Sequence, residues 1–507
     1  MPETTPAAAP LTPAYRRKLF WVALLYFSEG LPLGVFYDIF PVYFRQQGVN
    51  LADIGLLSLL GLAWTLKFLW APAVDWARRH RWWIAGANLG MAVVMWAFAG
   101  HFGFGPWVWV AIGCFTMLSA TNDIATDGYT IELLDKREYG LANGFRIGFY
   151  RVGMLTAGVV LMVSGWFGWS LAYLLGGAVF VMNACLVLLA PREQARPGAP
   201  PGSVGQELRL LREQPLWIVA LALVLLGLVW PALPPLARTF GWQGLNAWGG
   251  TWWFRGAIPV GLMFAGAALM VRAAHGPRAH QLREGPVFGA WVELLTRPGM
   301  IGVIVFILLF KLGDAAMGFM VKPFWVDSGF SNEKIGLVSV NLGLAFSIAG
   351  GLVGGWYVDR VGIFRGLWVL GLWQALSNLG YAAAAWYVPR VLPGADGIVQ
   401  PVDVALHHQF AVYAASALES FTGGLGTGAF LAFLMGITHR ARATTEYAIL
   451  SSIFAFSRAV AGWAGGLGAQ EMGYAAYFFL TFWLSFPAYL LLPLVRRMLE
   501  PRGPEGV

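Results

Sequence analysis

Residues 48–58 read GVNLADIGLLS and residues 329–339 read GFSNEKIGLVS, with Gly, Ile, Gly, Leu and Ser identical and no gap between the copies. The offset is 329 − 48 = 281 residues. Each copy leads into an apolar stretch that ends on an acid and a basic cluster, WAPAVDWARRHR (70–81) in the first half and GGWYVDRVGIFR (354–365) in the second. Further on, FYRVGMLTAG around Arg151 is echoed by FSRAVAGWAGG around Arg458. The chain is therefore built from two copies of one unit, with extra sequence between them.

The unit is a membrane unit. Of 507 residues 58% are hydrophobic and only 12% charged, about half the share in soluble domains, and the mean hydropathy is +0.62. Lys and Arg (34 against 26 Asp and Glu, net +8) sit in short clusters between apolar runs, as loop charges do, which sets aside nucleic-acid binding. Cys114 and Cys185 lie inside apolar runs, so a disulfide scaffold is excluded as well. Fourteen stretches are long enough to cross about 30 Å of hydrocarbon, the first over 19–44 and the second over 52–76. Basic clusters mark alternate connections, including Arg16–Lys18, Arg78–Arg81, Arg360 with Arg365, and Arg496 with Arg497, so both termini are expected in the cytoplasm.

Six spans, two inserted spans and six more describe an all-α polytopic protein of the major facilitator fold, in which repeated halves face a site near the bilayer midplane. The expected division is a disordered tail at 1–18, a six-helix bundle at 19–190, linkers with two extra helices at 191–298, a second bundle at 299–495 and a cytoplasmic tail at 496–507. The repeated Asp and Arg positions, Asp75 with Arg79 and Asp359 with Arg360, are expected to latch the cytoplasmic side, as in the facilitator loop motif.

A charge inside hydrocarbon is costly, so each ionisable residue within a span marks a functional position. The chain places Glu29 and Asp38 in the first span, Lys67 in the second, Asp123 and Asp127 four apart on one face of the fourth, and Arg146 and Arg151 in the fifth. Lys311 and Asp314 lie three apart in the ninth, and Glu419 and Arg458 follow in the twelfth and thirteenth. Two like charges on one face suit reversible protonation. The expected proton-coupling acids are Glu29, Asp123, Asp127 and Asp314; the expected solute-binding residues are Lys67, Arg151, Lys311, Arg458 and Trp64. His407 and His408 have no acids or cysteines at metal-ligand spacing, so no metal site is expected, and no catalytic motif occurs.

Several segments resemble the bacterial AmpG-type anhydromuropeptide permeases of the major facilitator superfamily: SEGLPLGVFYD, IGLLSLLGLAWTLKFLWAPAVD and NDIATDGYTIELLDKREYG in the first half, FKLGDAAMG and GLGTGAFLAFLMGITHRARATTEYAILSSIFAFSRAVAG in the second. The resemblance implies proton-driven import of N-acetylglucosaminyl-anhydromuramyl peptides across the bacterial inner membrane, with no cofactor beyond the proton gradient and no enzymatic step. It implies a small glycopeptide and membrane lipid as partners, a monomer, and weight on Asp123, Asp127, Lys311 and Asp314. Glu29 stands where that family usually has a small polar residue, and Asn122 where it usually has Gln. The acetyl-CoA transporter family shares part of the first-half pattern and gives the alternative, transport of acetyl-CoA or another anionic metabolite.

Overall fold

The computed structural model describes residues 12–71, 74, 79–100, 104–134, 138–192, 209–234, 237, 251, 253–282, 288–395, 397–438 and 443–499. The first bundle comprises α1 (Pro13–Gln46), α2 (Leu51–Leu66), α3 (His80–Ala99), α4 (Pro106–Leu133), α5 (Tyr139–Phe167) and α6 (Trp169–Leu188). The inserted pair is α7 (Pro215–Ala232) and α8 (Trp253–Ala274). The second bundle comprises α9 (Met300–Asp327), α10 (Asn332–Val361), α11 (Ile363–Tyr387), α12 (Leu406–Ile437), α13 (Ala443–Met472) and α14 (Tyr474–Leu499). Among the described residues 11 of these helices are long and apolar enough to span a membrane by themselves. The remainder are α2, which is shorter, and α11 and α13, whose apolar runs are diluted by Gln374, Ser377 and Asn378 and by Glu446, Ser451, Ser452 and Arg458.

Two expected boundaries shift. The tail expected over 1–18 gives way at Pro13, because Thr12 accepts a hydrogen bond from the Tyr15 amide at 3.2 Å and Pro13 supplies a ready-set first turn. Residues 1–11 lie outside the described residues, as do 500–507 of the expected C-terminal tail, whose first residues continue α14 to Leu499. The second span is also less regular than a single helix over 52–76: it passes through 3-10 turns at Ser58–Gly61 and Lys67–Leu69.

Packing repeats as the sequence does. In the first bundle α1 lies along α5 and α3 along α6; in the second, α9 lies along α13 and α11 along α14. The bundles meet through α2 against α13 and α5 against α10, seams exchanged by the repeat. Both seams are lined by glycine because the backbones come too close for a side chain. A Cβ on Gly55 would sit 2.6 Å from the Gly466 Cα, and one on Gly336 would sit 2.5 Å from the Gly158 carbonyl oxygen.

The core has the shape of a V. One apolar cluster joins both bundles, running from Leu31, Phe40 and Phe44 through Phe98 and Tyr173 to Phe324, Trp325 and Phe478. Beyond it the core divides: Tyr15, Leu25, Ile124 and Tyr129 form one cluster within the first bundle, and Met300, Phe306, Phe430 and Phe433 form another within the second. The joined end is fastened by polar contacts between the bundles, with Arg45 Nε 2.6 Å from Asp327 Oδ1 and Gln46 Nε2 donating to Asn332 Oδ1 at 2.6 Å. Residues 388–395 and 397–405 cross this end, Val391 N donating to the Asp327 carbonyl (2.7 Å), Val399 N to that of Gln46 (3.0 Å) and Val402 N to that of Gly329 (2.9 Å). The inserted pair covers the α2–α13 seam, where Leu228 and Met263 pack with Leu56, Leu62, Ala459 and Trp463.

Candidate functional site

Charged side chains collect where the V divides. In the first bundle Lys67 Nζ is 2.8 Å from Asp123 Oδ2. One turn along α4, Asp127 Oδ1 accepts from the Tyr26 hydroxyl at 2.7 Å and from Arg146 Nη2 at 2.9 Å, and the Arg146 guanidinium lies 4.6 Å above the Tyr26 ring. The two acids of α4 thus serve different partners, and the carboxyl within hydrogen-bonding reach of Asp123 is that of Glu29. Glu29 Oε2 and Asp123 Oδ1 are both buried and receive no hydrogen bond. Two ionised carboxylates cannot satisfy each other, since both only accept; one proton between them would supply the missing donor.

The second bundle holds its own cluster. Lys311 Nζ is 3.1 Å from Asp314 Oδ2 and donates to Thr427 Oγ1 at 2.9 Å and the Gly423 carbonyl at 3.3 Å. Glu419 of α12 faces Asp314, Lys311 and Lys322. Arg151 and Arg458, equivalent in the repeat, make no ion pair among the described residues; Arg151 is half-buried beside Tyr150, and exposed Arg458 lies 4.8 Å above the Tyr37 ring. Trp64 donates to Ser119 Oγ at 3.2 Å and its ring stacks near Tyr37, so it lines the same region.

Sequence reading missed the aromatic and cross-bundle members. Tyr150 lies within electrostatic reach of Glu29, Asp123, Arg151 and Arg458, and Tyr26 orients Asp127. Lys322 is 3.3 Å from Asp38 of the opposite bundle. A tyrosine in an apolar run carries no charge to mark it, and Lys322 stands near a span end, where lysines commonly reach out to the interface.

Of the expected latch residues, Arg79, Asp359 and Arg360 lie at the split end. Asp75 falls outside the described residues; Arg79, Asp359 and Arg360 are exposed, Arg360 lies over the Trp356 ring at 4.2 Å, and no ion pair joins these residues among those described. His407 and His408 pack on Tyr387 at the start of α12, and the described residues hold no group of three or more His, Cys, Asp or Glu able to bind a metal.

No family model matches the chain. Over 94% of its length it is 25% identical to the anhydromuropeptide permease of Escherichia coli (strain K12), covering 79% of that protein. It is 23% identical to the putative transporter AmpG 4 of Rickettsia conorii, covering 94% of this chain and 95% of that one. Among solved structures, the POT family transporter PepTSo superposes with a TM-score of 0.64 at 14% identity, covering 96% of this chain and 98% of that one. A bacterial homologue of the lysosomal transporter Spinster gives 0.61 at 12% identity, covering 96% and 98%. The fold is the major facilitator fold, the relatives are permeases and transporters rather than enzymes, and the chain is a membrane transporter of small molecules similar to the AmpG-type permeases.

Proposed function

We propose that this membrane transporter imports anhydromuropeptides, GlcNAc-anhydroMurNAc with its peptide, across the bacterial inner membrane together with protons. The observation that carries the reading is the pair Arg151 and Arg458, cations inside the membrane with no carboxylate partner among the described residues. Unpaired charge at that depth is costly, and a solute bearing carboxylates offsets it. The similarity to permeases of that name supports the choice of solute.

Charge counting supports proton coupling. Glu29, Asp123 and Asp127 face Lys67 and Arg146, three acids against two cations; with Lys322 matched by Asp38, Asp314 and Glu419 face Lys311, two against one. Each bundle thus holds one surplus acid and one arginine without an ion pair among the described residues. Protonating the acid leaves the arginine's charge for a solute carboxylate to match, and loss of both together restores the empty site. Alternating access supplies the path, with joined and split ends exchanging between two conformations. With the basic connections and both termini in the cytoplasm, the split end opens inward.

Counterflow of radiolabelled GlcNAc-anhydroMurNAc-tripeptide in proteoliposomes tests the solute. Exchange by the wild type, and accumulation only when an inward proton gradient is imposed, are expected; accumulation independent of the gradient sinks the coupling. If labelled acetyl-CoA exchanges and the glycopeptide does not, the solute is instead that anionic metabolite.

A further inference from the structure

We propose that Lys322 is an anion-binding residue for the transported solute, and that Asp38 is its built-in substitute while the joined end is closed. The inference deepens the transport reading and rests on the solute being an anion. Lys311 and Lys322 are 322 − 311 = 11 residues apart, about three turns, so they share one face of α9 with Asp314 and Gly318 between them. Gly318 is exposed, and a Cβ built there would meet no atom within 4 Å. Since Lys311 and Asp314 below it and Lys322 above it are engaged with α12, α10 and α1, that open space lies between the bundles, directly beneath Lys322.

Lys322 has two kinds of partner. Ser339 of its own bundle accepts from Nζ through Oγ at 2.7 Å and through its carbonyl at 3.1 Å. Asp38 reaches across from α1 at 3.3 Å, from the π-helical turn Val35–Ile39, and forms no other ion pair among the described residues. When the joined end parts, Ser339 travels with Lys322 and Asp38 does not. The ammonium keeps two of its three donors occupied and turns the third to the opened cavity. The other charges then around it, Lys311 and Arg458 with Asp314 and Glu419, leave the second bundle 3 − 2 = 1 positive charge in excess. A solute carboxylate replaces Asp38 in kind. When the joined end closes, Asp38 returns to Lys322 and evicts that carboxylate toward the split end, so the pair makes release a consequence of closure.

The test compares Lys322→Gln, Lys322→Arg and Asp38→Asn in proteoliposomes, each with its melting temperature recorded. Lys322→Gln is expected to raise the KM for GlcNAc-anhydroMurNAc-tripeptide by roughly tenfold or more, the loss of one charge-assisted contact, with Lys322→Arg restoring most of it. Asp38→Asn is expected to lower KM and slow exchange, because the competitor is gone and eviction fails. Movement of KM in the same direction in Lys322→Gln and Asp38→Asn makes the pair a mere clasp and overturns the proposal, as does an unchanged KM in folded Lys322→Gln. A second measurement needs no transport: acetylation of Lys322 by sulfo-NHS acetate, followed by peptide mass spectrometry. Asp38→Asn is expected to accelerate it roughly tenfold, and an unchanged rate overturns the proposal. If the wild type exchanges no glycopeptide yet Asp38→Asn accelerates labelling, the solute assignment falls and the anion position stands.

Discussion

Asp123 and Asp127 stand one turn apart on α4, yet the fold separates their work: Asp123 is held by Lys67 beside Glu29, and Asp127 by Tyr26 and Arg146. The sequence marks these acids because charge in an apolar run is expensive, but it cannot show which cation each one meets. Lys67 balances two carboxyls, so removing it costs more than its own ion pair. Lys67→Met is expected to lower stability by about 1–3 kcal/mol, the cost of leaving a buried polar group unmatched, and Lys67→Met with Asp123→Asn to recover most of it. Thermal unfolding of the purified variants checks this; a double variant no more stable than Lys67→Met shows that Asp123 is not the group left uncompensated.

At the scale of helices, hydropathy and the repeat made all fourteen elements legible, since each expected stretch falls on helical segments, some interrupted by turns such as those at Lys311 and Ser485–Phe486. What they could not convey was pairing, because the residues that decide it are glycines whose meaning depends on the opposing helix. Gly55 with Gly466 and Gly158 with Gly336 allow α2 to reach α13 and α5 to reach α10. Gly158→Leu is expected to disfavour the closed joined end by about 1–3 kcal/mol through overpacking, a shift of roughly 5- to 150-fold in population. Gly86→Ala, where a Cβ meets nothing within 4 Å, is the matched control. A cysteine at Gly318 reports the change: in Gly158→Leu it is expected to react faster with an impermeant thiol reagent added at the joined end, and an unchanged rate means the seam does not control closure.

Across the whole molecule the site is neutral when every acid is ionised, before Glu29 and Asp123 take up the proton they share. Glu29, Asp38, Asp123, Asp127, Asp314 and Glu419 balance Lys67, Arg146, Arg151, Lys311, Lys322 and Arg458. A solute carboxylate entering that ionised, neutral site therefore brings a proton with it, and GlcNAc-anhydroMurNAc, with one carboxylate, moves without net charge. Its uptake into proteoliposomes is expected to respond to an imposed pH difference and to remain within about twofold when a potassium diffusion potential of either sign is applied, whereas a strong dependence on the potential would mean that proton and carboxylate do not travel one for one. The strap at residues 388–395 and 397–405 adds a different consequence. It is tied to both bundles through backbone amides, and in the proposed orientation it faces the periplasm. A macrocycle or nanobody that grips it would jam the cycle from outside, so an inhibitor of this protein need not cross the inner membrane or compete with the solute.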